Sequence, residues 1–163
     1  MIAGARAPLT RAFTLIELVI TLAIVAILAS VAFPLADLTV QRQREHELRR
    51  ALRDIREGID AYKQAADEGR VLNKPGESGS PRKLEDLVDG VEDLKSAKKE
   101  RIYFMRRLPR DPFHTDRQLP AAETWGKRSY ASPPDEPKEG EDVFDVYTHE
   151  PGKAINGRLL REW

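Results

Sequence analysis

The stretch Arg11-Ala12-Phe13-Thr14-Leu15-Ile16-Glu17-Leu18 decides how the chain is read. The residues before it include Arg6 and no acidic side chain. After it runs an apolar segment, Leu18 to Phe33, in which nothing is charged and only Thr21 and Ser30 are polar. Glu17 stands at the entrance to that segment. A carboxylate at the centre of a membrane helix costs about 2.5–3.5 kcal/mol on insertion scales, and less towards the end. A group placed there at such a cost is read as having a partner and a task.

The apolar segment approaches the ~20 residues that cross a bilayer as a helix. Arg6 and Arg11 place the leading residues on the cytoplasmic side and the rest of the chain in the periplasm or outside. A cleaved signal peptide is the competing reading, because small residues cluster at Ala29-Ser30-Val31-Ala32. Against it, the apolar part exceeds the ~7–15 residues of a usual signal-peptide core.

One long helix is predicted from Phe13 to about Ala66, roughly 54 residues and about 80 Å at 1.5 Å per residue. Pro34 lies inside it and cannot donate to the carbonyl of Ser30, so a kink or local opening is expected there, as a hinge or a boundary marker. Beyond it, Leu48, Leu52, Ile55, Ile59, Tyr62 and Ala66 form a single apolar stripe at spacings of four and three. The opposite face holds Arg49, Arg50, Arg53, Asp54, Arg56, Glu57 and Lys63, with Asp54 and Glu57 within ion-pairing distance of several arginines. The stripe is too short to argue for a coiled coil and is assigned to packing against the protein's own sheet.

Gly69 marks the helix stop, and Lys74-Pro75-Gly76-Glu77-Ser78-Gly79-Ser80-Pro81 is a loop by composition. A short amphipathic helix is expected from Pro81, carrying Leu84, Leu87 and Val88. Ile102-Tyr103-Phe104-Met105 is a strand or a helical end. Trp125 to Ala131 and Val143 to Thr148 read as strands, and Asn156-Gly157 as a tight turn. A small antiparallel sheet on the helix stripe is the simplest way to bury these groups.

Phe13-Thr14-Leu15-Ile16-Glu17 after a short basic leader, then an apolar run with a proline, resembles the type IV pilin and type II secretion pseudopilin superfamily. The resemblance covers Arg11 to roughly Pro34. It implies an α+β, pilin-like fold: a long N-terminal helix, half transmembrane, packed on a small antiparallel sheet. It divides the chain into a leader (1–12), a transmembrane and filament-core helix (13–34), the periplasmic half of the helix (35–68) and a globular region (69–163).

Prepilin peptidase would cut between Ala12 and Phe13 and methylate the new amine. Ala12 is small, like the glycine usual at that place. Glu17 becomes the fifth mature residue, which family members use for recruitment to the filament by neutralising a neighbour's N-terminal amine. Pro34 matches prolines associated with local melting as the subunit leaves the bilayer. Arg107-Leu108-Pro109-Arg110-Asp111-Pro112-Phe113 resembles the Leu-Pro-x-Asp-Pro segment of the major, G-type pseudopilin, and Leu84 to Val88 the second helix of secretion pseudopilins.

The acid-rich loop Ser132 to Asp142 is the one metal candidate. Calcium takes six to eight oxygens from carboxylates and carbonyls, and the loop's position resembles the calcium loop of major pseudopilins. That match nominates Asp135 and Asp142, then Ser132 and Glu141. Glu136 and Pro137 stand where that loop carries glycine. A solvated acidic turn is the alternative.

With 163 residues the chain holds one anchored domain. The balance of 27 basic and 27 acidic side chains gives no case for nucleic-acid binding. Without cysteine there is no disulfide or thiolate metal site, so another staple is needed, such as a metal or assembly with copies of itself. His46, His114 and His149 are scattered, and no nucleophile or phosphate-loop motif accompanies them, so no enzyme is expected.

The resemblance thus implies a structural subunit of a type II secretion pseudopilus. It would sit in the inner membrane as a single-pass precursor and then in a periplasmic filament. Its partners would be copies of itself, prepilin peptidase, other pseudopilins and the inner-membrane platform. A type IV pilus subunit, a minor tip pseudopilin and a signal-anchored periplasmic adaptor are the alternatives.

Overall fold

The computed structural model describes residues 14–163, the side chains of 31–36 excepted. The chain divides into two units, with the boundary between Val40 and Gln41. Helix α1, Leu15–Asp67, contributes its first part to one and its second to the other. The Thr14 hydroxyl accepts the Glu17 amide at 3.3 Å, and the Leu18 amide reaches the Thr14 carbonyl at 3.2 Å. Thr14-Leu15-Ile16-Glu17 is thus a helix-capping sequence as well. Helix α1 continues through position 34; the Pro34 ring, and with it the hinge expectation, lies outside the described side chains.

In the first unit α1 is apolar on all sides. Its large hydrophobic side chains from Leu15 to Leu28 are 52 to 82 % exposed. Among the described residues no helix is long and apolar enough to cross a membrane.

In the second unit the predicted stripe is the spine of the core: Leu48, Leu52, Ile55 and Ile59 are 2 % exposed or less. Ala51 and Ala65 widen it, as does Gly58, where an added Cβ would sit 2.9 Å from Met105 Cγ. The helix ends at Gly69 (φ +70°) as expected. Its amide reaches Ala66 and that of Arg70 reaches Ala65, both at 2.9 Å, which satisfies the last carbonyls.

The rest of the unit differs from expectation in detail. The second helix, α2, is one turn, Asp86–Asp89, and does not start at Pro81. Leu84 and Leu87 are still fully buried, so the apolar pair serves packing and needs little helix to do it. Among the described residues there are two two-stranded antiparallel sheets where one was expected. Strand β1 (Val91–Glu92) pairs with β2 (Arg101–Ile102); of the ambiguous segment Ile102-Tyr103-Phe104-Met105 only Ile102 is strand, and the rest is neither strand nor helix. Strand β3 (Trp125–Arg128) pairs with β4 (Asp145–Thr148), Trp125 opposite Thr148 and Arg128 opposite Asp145. Both strands lie inside their predicted spans. The tight turn at Asn156-Gly157 is present, with Gly157 at φ +84° and its amide 2.8 Å from the Ala154 carbonyl.

On the charged face of α1, Asp54 and Glu57 were expected to pair with nearby arginines, and the contacts that form are others. Arg56 donates from Nε to Asp145 at 2.7 Å and from its terminal nitrogens to the carbonyls of Trp163 (2.7 Å) and Val146 (3.3 Å). Arg49 lies over the Trp163 ring, 4.0 Å from its centroid. Asp54 and Glu57 form no ion pair among the described residues. Arg50 and Arg53, one turn from Asp54 and Glu57, have no tertiary partner among the described residues either; an exposed helix pair is worth only ~0.3–0.5 kcal/mol, too little to hold two long side chains together.

Two buried carboxylates lock the remaining loops. Asp111, in the Leu-Pro-x-Asp-Pro segment, accepts the Thr148 hydroxyl and the Phe113 amide, the latter at 2.8 Å. Glu45 accepts the Ile155 amide at 2.8 Å and Gln41 Nε2 at 3.3 Å. Trp125 is 1 % exposed and donates to the Pro109 carbonyl at 2.9 Å. No buried side-chain donor or acceptor among the described residues lacks a partner.

Candidate functional site

The helix start is the first candidate. Thr21 Oγ1 donates to the Leu18 carbonyl at 3.0 Å and Ser30 Oγ to that of Ile27 at 2.7 Å. Both hydroxyls are satisfied inside the helix. The Glu17 carboxylate has no hydrogen bond or ion pair among the described residues. Between Thr14 and Ser30 it is therefore the sole charged group and the sole side chain left to be satisfied from outside, in a surface otherwise fit for an apolar medium. Ala12 and Phe13, the expected processing residues, lie outside the described residues, as do Arg6 and Arg11.

The comparisons with known proteins bear on this stretch. The chain carries a prokaryotic N-terminal methylation motif. The family model of that description matches residues 9–33. The methylation motif supports a type IV pilin-like substrate of prepilin peptidase and points to a membrane-anchored precursor. It covers the expected cut site between Ala12 and Phe13, and Glu17, and ends just before Pro34. No curated protein and no solved structure matches the chain.

The acid-rich loop is the second candidate, and its expected ligands are spread apart in function. Asp142 is turned inward: it accepts the Ser78 hydroxyl on one oxygen and the Tyr130 amide, at 3.1 Å, on the other. Ser132 Oγ donates to the Ser129 carbonyl at 3.0 Å and accepts the Lys138 amide at 3.3 Å. Asp135 and Glu141 are exposed, with no partner among the described residues. The Ser129 amide donates to the Lys138 carbonyl at 2.9 Å, closing the loop's base. No group of three or more His, Cys, Asp or Glu side chains among the described residues is arranged to hold a metal. With Asp142 and Ser132 engaged in protein hydrogen bonds and no cluster of three acidic side chains among the described residues, the donor set as placed does not fit calcium, which gathers six to eight oxygens around one point.

Beside the loop, a cavity of about 290 Å³ is lined by Tyr62, Ser78, Arg82, Tyr130 and Asp142. Burial, then the nearby Asp86 carboxylate, pushes the Tyr62 phenol up. Glu77 at the rim is held below the usual carboxylate range by the Lys74 amide, then by Arg82. The first shift comes from burial and neighbouring charge and the second chiefly from hydrogen bonds that hold the loop; His46, His114 and His149 do not line the cavity.

Reading the sequence for function missed three groups. Thr14 was legible, since Thr-x-x-Glu before an apolar run is a helix-start signal. Asp111 was noticed only for its proline, and its burial has no local signature. Ser78, the partner of Asp142 across 64 residues, carries no sequence signal at all.

Proposed function

We propose that the protein is a structural subunit of a pilin-like filament, most similar to the major pseudopilin of a type II secretion system. The observation that carries this reading is a methylation motif leading directly into an apolar helix whose described side chains stay exposed on every face. Such a surface must be covered by lipid or by other helices. Prepilin peptidase removes residues 1–12 and methylates the amine of Phe13. Glu17 then neutralises that amine on a neighbouring subunit, in a low-dielectric setting where each charge alone would be costly. The helix is drawn from the inner membrane, and subunits stack through their apolar halves into a short periplasmic filament beside other pseudopilins and the secretion platform.

The work is mechanical and not catalytic. The absence of cysteine favours a pseudopilin over a pilus subunit closed by a disulfide, and Glu17 favours a main subunit over a tip subunit.

The test is the intact mass of the membrane-extracted protein, produced with and without prepilin peptidase. A product beginning at methylated Phe13 is expected only with the peptidase. An uncut chain in both samples would overturn the reading in favour of an anchored adaptor, and a cut near Ala32 would mean a secreted protein. In the processed chain, Glu17→Val should abolish sedimentable filaments while leaving the melting temperature of the globular unit unchanged.

A further inference from the structure

A second surface of the globular unit has the features of a receptor. The α1 face from Arg44 to Gly58 and the segment Phe104 to Arg117 enclose an open groove of about 1500 Å³. Its lining holds six arginines against four carboxylates, and one of those, Asp111, is buried and turned to Thr148. Arg44, Arg50, Arg106, Arg107 and Arg117 have no hydrogen bond or ion pair among the described residues. Guanidinium groups crowded without partners favour a ligand that brings carboxylates, which they hold in two-pronged hydrogen bonds.

The same chain carries a matching shape. Residues 135–142 hold five carboxylates against Lys138 alone. Lys138 pairs with Glu136 at 3.0 Å and Asp142 bonds inward, so Asp135, Glu139 and Glu141 are left free among the described residues. Pro133, Pro134 and Pro137 stiffen the loop, and the Ser129–Lys138 bond closes its base. A stiff loop loses little freedom on docking. The groove carries an excess of positive charge and the loop an excess of negative charge, so the two are electrostatically complementary.

No residue of the loop lines its own groove. Its end, Glu141 and Asp142, lines a cavity with Tyr62 and Ala66 towards the C-terminal end of α1, whereas the groove is centred near Ala51 and Asp54. Those helix positions are about 18 Å apart along the axis. Two complementary patches at different heights make a head-to-tail contact, which repeats without closing and builds a filament.

We infer that the arginine-lined groove receives the acid-rich loop of a second copy of this chain, a contact between globular units that rests on the filament reading. Association through it weakens with salt, as exposed charge pairs do.

The test uses the full chain, co-produced with its assembly machinery as two tagged forms, one bearing Arg107→Cys and the other Glu139→Cys. No other thiol is present, so oxidation reports this pair alone. A disulfide adduct joining the two tags is expected, reduced at least tenfold by Arg44→Glu with Arg106→Glu and restored when Glu141→Arg is added on the other form. Sedimentation of the unsubstituted protein is read in parallel. Filaments without the adduct would overturn the docking alone. The adduct without filaments would support the docking and overturn the filament reading. Neither would overturn both, and an adduct that ignores the charge reversals would overturn the electrostatic basis.

Discussion

The two parts of α1 obey one backbone geometry and opposite packing rules. From Leu15 to Leu28 apolar side chains point in every direction and all are exposed. From Leu48 to Ala66 they keep to one stripe and are buried. A stripe can be covered by the protein's own sheets, and here it is. A helix apolar all round needs an apolar medium on every side, and one small domain cannot supply that. The distribution of apolar residues, rather than their number, separates the part of the helix that stabilises the fold from the part reserved for other molecules.

The contrast is broken most directly by truncating one residue in each part. Ile55→Ala should cost about 3 kcal/mol, from lost burial and the cavity left behind. Leu22→Ala should leave the stability of the globular unit within about 0.5 kcal/mol, since an exposed side chain has little to lose there. Chemical denaturation checks both, and equal losses would mean that the apolar half packs on the fold after all.

A smaller effect probes the acid-rich loop, where the family resemblance proposes calcium and the donor placement argues against it. Asp142→Ala strands the Ser78 hydroxyl and the Tyr130 amide, for a loss of about 1–2 kcal/mol. If those hydrogen bonds are the staple, thermal melts will show the same loss with and without calcium. A loss seen only with calcium would restore the metal.

The smallest effect concerns acid. The Arg70 guanidinium, first through its hydrogen bond, holds Asp93 below the usual carboxylate range. The stability this adds is complete above the unfolded value of about 3.9 and is lost as pH falls through the lower folded value. Asp93→Asn should flatten that part of the acid limb in melts between about pH 5 and about pH 2. An unchanged limb would mean that the pair adds nothing.

Local pattern made much of this architecture legible. The stripe, the stop at Gly69, the strands at Trp125 and Asp145 and the turn at Gly157 each rest on spacing or on backbone freedom, which a sequence displays openly. What stayed hidden depends on distant partners. Arg56 looks like any exposed helix arginine until Asp145, 89 residues away, is set beside it. Asp111 looks like a turn residue until Thr148 caps it. The expected sheet formed from β3 and β4; the additional pair of β1 and β2 went unforeseen because two-residue strands leave no alternation to read. At the candidate site the positions of Glu17 and the motif were readable. The loop was readable as a candidate ligand set because acid content is visible in sequence, whereas the direction of each carboxylate is not.

The hydroxyls of Thr21 and Ser30, folded back onto their own helix, have one more consequence. A segment whose polar hydrogens are already placed breaks no hydrogen bond on passing from one oily medium to another. Between Thr14 and Ser30 the passage leaves one polar demand, the Glu17 carboxylate, and that demand is met only where a positive charge waits. Such a helix is nearly indifferent to which apolar surroundings it occupies and selective about where along them it stops.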